Sequence, residues 1–259
     1  MRKSLFLLSS ILALAMFANS TRATTLLSDN FSSGFNTSSI WQALPNSIVS
    51  GSAPGYFGLP QSALPQTISG QQVETFTSFF NYNNQFTGFE SQATFNGLPS
   101  ATLDVKFYTT GGIDTLLGVG ISGASNSEFI GLFAGNFGAS RSVYTGSSIY
   151  TGNSENFSST SWQFDTFYQF VVSSTAHSSI LSFEDSLGDV LYTTTVPLGL
   201  TDFGSNIKIL VEQGVNTPGQ AEQTSASIQQ VVLTSTVPEP ASLTLLGVAA
   251  ISLLRCRRF

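Results

Sequence analysis

The chain is 259 residues long, with only 9% charged residues, 12% aromatic residues and 22 Phe. A charged share this far below the usual quarter or so excludes a disordered polyelectrolyte, and the aromatic content supplies apolar surface for a folded core. Between Thr24 and Val237 only Lys106, Arg141 and Lys208 face fourteen acids, a balance that repels phosphate backbones and anionic lipid and so argues against nucleic acid or a membrane surface as partner.

In chain order, Arg2 and Lys3 precede an apolar run over 5–18, and small and polar residues follow. That order of charged, apolar and cleavage regions is the pattern of a secretory signal peptide, assigned to 1–23 with cleavage after Ser20 or after Ala23. The alternative is an uncleaved anchor, for which the apolar run is at the short end. The exported part is then 24–235. It contains no cysteine, because the single Cys256 lies in the tail. Disulfides, thiolate nucleophiles and cysteine metal sites are therefore excluded from it, and its stability must come from one large core.

The interior predicts strands, because apolar and polar residues alternate with a period of two and no stretch shows a helical period. Phe89, Ala93 and Phe95 alternate with Glu90, Gln92 and Thr94. Leu103, Val105 and Phe107 alternate with Thr102, Asp104, Lys106 and Tyr108. Trp162, Phe164, Tyr168, Phe170 and Val172 share one face of a further strand, with Gln163, Asp165 and Gln169 on the other. Asp185-Ser186-Leu187-Gly188 has the Asp-first, Gly-fourth preference of a type I turn, between runs at 180–183 and 190–194, which predicts a hairpin. Ile207, Ile209 and Val211 repeat the alternation. Short strands with turns roughly every ten residues, no linker and no repeat predict one antiparallel jelly-roll β-sandwich of all-β class. Trp41 and Trp162 are assigned to its core.

The opening from Asp29-Asn30-Phe31 to Ile40-Trp41 resembles the first strand and loop of concanavalin A-like lectin/glucanase sandwiches, including laminin G-like domains. Further echoes are Gly88-Phe89-Glu90-Ser91-Gln92-Ala93, the 162–172 strand, the 184–192 hairpin and the closing 226–233 strand. Glucanases of this class carry acid and nucleophile on one strand as Glu-x-Asp-x-x-Glu, since residues two apart share a face. Glu74, Glu90, Glu128, Glu155, Glu184, Glu212 and Glu222 all fail to start that pattern. The expectation is a protein that is not an enzyme.

Other chemistry is thin. Gly118-Val119-Gly120-Ile121-Ser122-Gly123 matches the dinucleotide-binding spelling, but a strand candidate at 129–133 follows where a helix is required, so it reads as a glycine-rich strand and no nucleotide is expected. His177, the sole histidine, lies in a loop-like stretch without a Gly-x-Ser-x-Gly and reads as a surface residue. No cofactor is expected, although the resemblance leaves room for calcium, with Asp29 as a candidate ligand. Sugar binding needs an aromatic face flanked by amides or carboxylates. Tyr82, Asn83 and Asn84, with Tyr56 and Tyr144 behind them, are the candidate glycan contacts.

At the C-terminus, Pro238-Glu239-Pro240 precedes an apolar stretch over 241–254 and the basic cluster Arg255, Arg257 and Arg258. As a helix those fourteen residues make about 21 Å, short of a hydrocarbon core of about 30 Å, so the tail is a marginal anchor whose arginines stay cytoplasmic. The prolines separate it from an accessible, extended segment. This tripartite tail resembles the PEP-CTERM sorting signal, over 236–259. The resemblance implies an exosortase as partner, Pro238, Glu239 and Pro240 as recognition triplet, removal of the tail, and delivery to the cell surface or a polysaccharide matrix. An ordinary membrane tail is the alternative. The combined expectation is a non-catalytic, exosortase-processed surface or matrix protein that contacts exopolysaccharide; the alternatives are a glycan hydrolase or lyase on the same sandwich and a purely structural coat or adhesive protein.

Overall fold

The computed structural model describes residues 21–31, 39–43, 62–80, 85–109, 115–123, 129–137, 140–146, 154–157, 163–204, 206–215 and 222–238. Among the described residues there are sixteen strands and no helix, so none is long and apolar enough to cross a membrane. The chain divides into a compact unit Thr25–Thr234 and a second unit made of its two ends. Residues 1–20 of the signal segment, the apolar tail and the arginine cluster lie outside the described residues, whereas residues 21–23 begin the first strand, Thr21–Asp29.

Sheet 1 runs in the order β14 (Val190–Val196), β13 (Ser179–Asp185), β12 (Phe167–Ser174), β7 (Ala101–Tyr108), β16 (Glu222–Pro238), β4 (Gln71–Phe80) and β3 (Ser62–Ile68), with β1 (Thr21–Asp29) also paired to β16. Sheet 2 runs β11 (Ser154–Phe157), β10 (Ser140–Gly146), β9 (Phe129–Phe137), β8 (Thr115–Gly123), β15 (Asn206–Val215), β5 (Gln85–Ser91) and β2 (Trp41–Ala43), with β6 (Phe95–Asn96) also on β15. Neighbouring strands within the sheets are antiparallel wherever their register is described.

The core lies between the sheets and follows from the alternation. β7 alternates buried and half-buried residues along its whole length, with Leu103, Val105 and Phe107 inward. β12 does the same with Tyr168, Phe170 and Val172. From sheet 2 come Val119, Ile121, Leu132, Ile207, Ile209, Val211 and Phe89. Phe107, Phe170, Phe183 and Tyr168 form an aromatic knot in which the Phe107 and Phe170 ring centroids are 4.5 Å apart. Burying one such side chain is worth about 1.5–3 kcal/mol, which lets the chain dispense with disulfides. Trp41 is fully buried in this core, as its sequence context indicates; Trp162 lies outside the described residues.

The hydroxyl-rich composition has a structural counterpart on the outer face of sheet 1. Thr75 and Ser227 pair across strands at 2.8 Å, Thr77 and Ser225 at 3.0 Å, and Thr102 and Ser173 at 3.4 Å. Such cross-strand hydroxyl pairs stabilise a sheet without charge. Edge strand β3 carries Pro65, a residue that a sheet tolerates at its edge and that discourages further pairing there.

Two expected strands are shorter than the alternation predicts. The 89–95 run breaks after Ser91, where the Ser91 hydroxyl donates to the Ala93 carbonyl and accepts the Ile209 N–H, leaving Ala93 exposed. The 162–172 run begins only at Phe167, because Asp165 is left-handed, with φ +57°. The predicted hairpin is present as β13–β14: Gly188, at φ +89°, donates its N–H to the Asp185 carbonyl, and the Asp185 side chain accepts the Leu187 and Asp189 N–H groups.

Candidate functional site

The glycine-rich segment 118–123 falls entirely within β8, paired with β9 and β15, so its dinucleotide spelling belongs to a sheet strand. Val119 and Ile121 fill the core, which places Gly118, Gly120 and Ser122 on the outer face of sheet 2. Gly120 pairs with Gly131 of β9 on one side and Leu210 of β15 on the other. Gly118, Gly120 and Gly131, which have no Cβ atoms, leave a flat strip beside the side chains of Ser122 and Leu210.

Beside that strip the structure gathers a polar cluster from four strands. The Lys208 ammonium of β15 lies 2.6 Å from Glu90 Oε1 of β5, and the Gln42 amide of β2 donates to the same oxygen. Ser122 of β8 is the register partner of Lys208. Its Oγ is buried and has no hydrogen-bond partner. Leu210, between Glu90 and Gly120 in register, is also fully buried although it belongs to the outer face. This part of sheet 2 is closed to solvent. Chemically, the cluster is a neutralised ion pair beside a buried hydroxyl with no hydrogen-bond partner. It is poorly suited to proton transfer, because two donors already occupy one Glu90 oxygen.

Sheet 1 presents a second, accessible set of groups. Asp104 accepts the Gln169 amide at 2.8 Å, and burial pushes its carboxyl above the usual carboxylate range against the pull of Lys106. Glu184, opposite Gln169 in register, is also raised, first by burial and then by the charges of Asp104 and Asp185. At the end of the same face Tyr108 and Phe167 are register partners with ring centroids 5.0 Å apart, and the Tyr108 hydroxyl donates to Asp165 at 3.2 Å.

Of the residues singled out by sequence, Tyr56, Tyr82, Asn83, Asn84, Glu239, Pro240, Arg255, Arg257 and Arg258 lie outside the described residues, and Pro238 ends β16. His177 is exposed, with its Nδ1 3.2 Å from the Thr201 hydroxyl. Asp29 is engaged by protein donors: the Trp41 indole N–H at 2.8 Å and the Phe31 backbone N–H at 2.8 Å. Among the described residues no group of three His, Cys, Asp or Glu could hold a metal ion. The Glu90–Lys208 pair and the Tyr108–Phe167–Asp165 group escape a reading of the sequence alone. The one available signal was that Lys208 is among only three interior cations.

Two antiparallel sheets enclosing one core, in this strand order, define a jelly-roll sandwich of the concanavalin-like class. Solved structures share it: an endo-β-1,3-glucanase from Pyrococcus furiosus (12% identity over 85% of this chain and 97% of that one, TM-score 0.57), a GH16 protein of the Bacteroides ovatus mixed-linkage glucan system in complex with product (11%, 80% and 99%, 0.52), and lectin II from Ulex europaeus (12%, 83% and 100%, 0.51). At these identities the likeness concerns the fold. No curated protein matches the chain by sequence. Residues 236–258 match the PEP-CTERM protein-sorting motif. The chain thus joins a jelly-roll sandwich to a C-terminal sorting motif that implies recognition by an exosortase.

Proposed function

We propose that this is an exported, exosortase-processed surface or matrix protein whose sandwich contacts exopolysaccharide and performs no catalysis. The sorting half is supported by the motif at 236–258. The observation that carries the non-catalytic half is the Glu90–Lys208 pair: this outward carboxylate of sheet 2 is buried, neutralised and bonded twice at one oxygen. Glycoside hydrolysis by two carboxylates needs one free to give a proton and another free to attack or activate water. The neighbouring outward positions of β8 are Gly118, Gly120 and Ser122, none of which carries a carboxylate.

A hydrolase reading is favoured by one feature. Across β5 and β15, Glu90 pairs with Leu210 and Glu212 with Gly88, so two acids stand on adjacent strands two positions apart. Reducing-sugar release from β-glucans separates the readings: the proposal expects background release from the full chain, and a turnover abolished by Glu212→Gln would overturn it. Retardation of the chain in polysaccharide gels is expected, and its absence would favour a purely structural coat protein. Mass spectrometry of protein secreted from an exosortase-bearing host tests the sorting. The tail should be missing from the mature chain, and an intact 243–259 segment would overturn this half.

A further inference from the structure

We propose that Tyr108, Phe167 and Asp165 form a contact platform for a neutral polysaccharide chain on the outer face of sheet 1. The proposal rests on the polysaccharide-contact reading above and assigns that contact a place away from the closed face of sheet 2.

Four observations converge on the platform. First, strand parity turns both rings outward: Phe107 and Tyr168, their neighbours on β7 and β12, are buried in the core, whereas Tyr108 and Phe167 are only half-buried. The two rings are register partners, with centroids 5.0 Å apart and planes at 57°. Together they offer an apolar surface of the kind that meets the CH-rich face of a pyranose. Second, polar groups flank the rings on both sides. Asp165 lies at the Tyr108 hydroxyl, 3.2 Å away. One step further along the face, Lys106 and Gln169 form the next register pair. Carboxylate, amide and ammonium groups of this kind orient sugar hydroxyls.

Third, the loop that carries Asp165 is held rigidly in a costly conformation. Asp165 is one of three described non-glycine residues with positive φ. Its N–H donates to the Thr109 carbonyl at 3.0 Å, and the Thr109 N–H donates to the Thr166 carbonyl at 3.0 Å. The Thr109 hydroxyl sits 3.0 Å from the carbonyls of both Gln163 and Thr166, and the Gln163 N–H donates to the Tyr168 hydroxyl at 2.7 Å. Backbone strain over-determined by its surroundings and presenting an exposed side chain is where ligand contacts concentrate. The turn itself would be better served by glycine. Fourth, charge selects the ligand. The exported part carries fourteen acids against three bases, and the platform includes an exposed carboxylate, so an anionic polysaccharide is repelled while a neutral one is not.

The test is retardation of the full chain in native gels containing laminarin, dextran or galactomannan as neutral probes, with alginate as the anionic one. Retardation by at least one neutral probe and none by alginate is expected. Tyr108→Ala and Phe167→Ala should each weaken that binding about ten-fold, and Tyr108→Phe should lose less. Asp165→Gly is the discriminating variant. It keeps both rings and relieves the left-handed strain, so its melting temperature should hold or rise while binding falls several-fold. A residue kept only for folding would show the opposite, and unchanged binding in Asp165→Gly and Phe167→Ala would overturn the platform while leaving the polysaccharide reading intact. No retardation of the unaltered chain by any probe would overturn both. Retardation by alginate alone would overturn the neutral class of ligand.

Discussion

Glu90 and Lys208 are 118 residues apart in the chain, and their side chains meet at 2.6 Å across β5 and β15. Both are largely buried, with side-chain exposures of 5% and 14%. Removing one partner of such a pair leaves the other charge without compensation in a low-dielectric setting, which costs about 3–5 kcal/mol. Lys208→Met should therefore lower the urea midpoint strongly. Adding Glu90→Gln to the same chain should recover most of the loss, because the amide can still accept from Gln42. If the double variant were no more stable than the single one, the pair would not be the electrostatic unit described.

Gly199 has a steric role that its sequence context hides. A Cβ there would lie 2.5 Å from the backbone nitrogens of His177 and Ser178. Those atoms cannot step aside, because Leu200 and Thr201 donate their N–H groups to the carbonyls of Thr175 and Ala176, clamping the two loops together. Gly199→Ala should cost about 1–3 kcal/mol through forced backbone displacement. Gly188 meets nothing within 4 Å but has φ +89°. Gly188→Asn, which tolerates that conformation, should therefore lie near the original stability in the same thermal melts. Equal losses at the two sites would contradict this division.

How far the sequence reveals these features depends on the range of the interaction involved. β7 and the β13–β14 hairpin are legible because alternation and an Asp-x-x-Gly turn are local, and both are present where expected. The late start of β12 is not legible. Whether Asp165 turns left-handed is settled by Thr109, which is 56 positions away in sequence and brought alongside only by the β7–β12 pairing. Glu90 reads in the sequence as one polar residue of an amphipathic strand. Its partner becomes visible only once β15 is placed between β5 and β8. Local pattern thus reveals the sandwich, whereas the polar groups that qualify as sites depend on strand order.

Stability should depend on pH through the acidic row on sheet 1. The Asp104 carboxyl is raised chiefly by burial, and that of Glu184 by burial and then by Asp104 and Asp185. A carboxyl with a folded-state pKa above its unfolded value binds its proton more tightly in the native state. Its contribution is therefore full below the ordinary carboxylate range and declines as pH rises through the folded-state value. These two groups should make the melting temperature fall between mildly acidic and neutral pH. The Asp104→Asn/Glu184→Gln chain should show a flatter profile over that window and a higher melting temperature at neutral pH. A profile of unchanged slope would remove both residues from the account.

The corner at Asp29 argues for a structural carboxylate at the position where a calcium ligand was a candidate. Its two oxygens accept the Trp41 indole N–H and the Phe31 backbone N–H, each at 2.8 Å. Phe31 is fully buried, left-handed at φ +54°, and stacked on Trp41 with ring centroids 6.3 Å apart. A bulky residue in that conformation needs its surroundings to hold it, and the Asp29 bond to its N–H supplies part of the restraint. Asp29→Ala leaves the buried indole N–H without its acceptor and should cost about 1–3 kcal/mol, with a shift in Trp fluorescence as the environment of Trp41 loosens. Asp29→Asn keeps one acceptor oxygen and should cost less. Neither calcium nor a chelator should move the melting temperature of the unaltered chain. A calcium-dependent rise that disappears in Asp29→Asn would show that the carboxylate serves a metal, and the corner would then have to be read as a binding site.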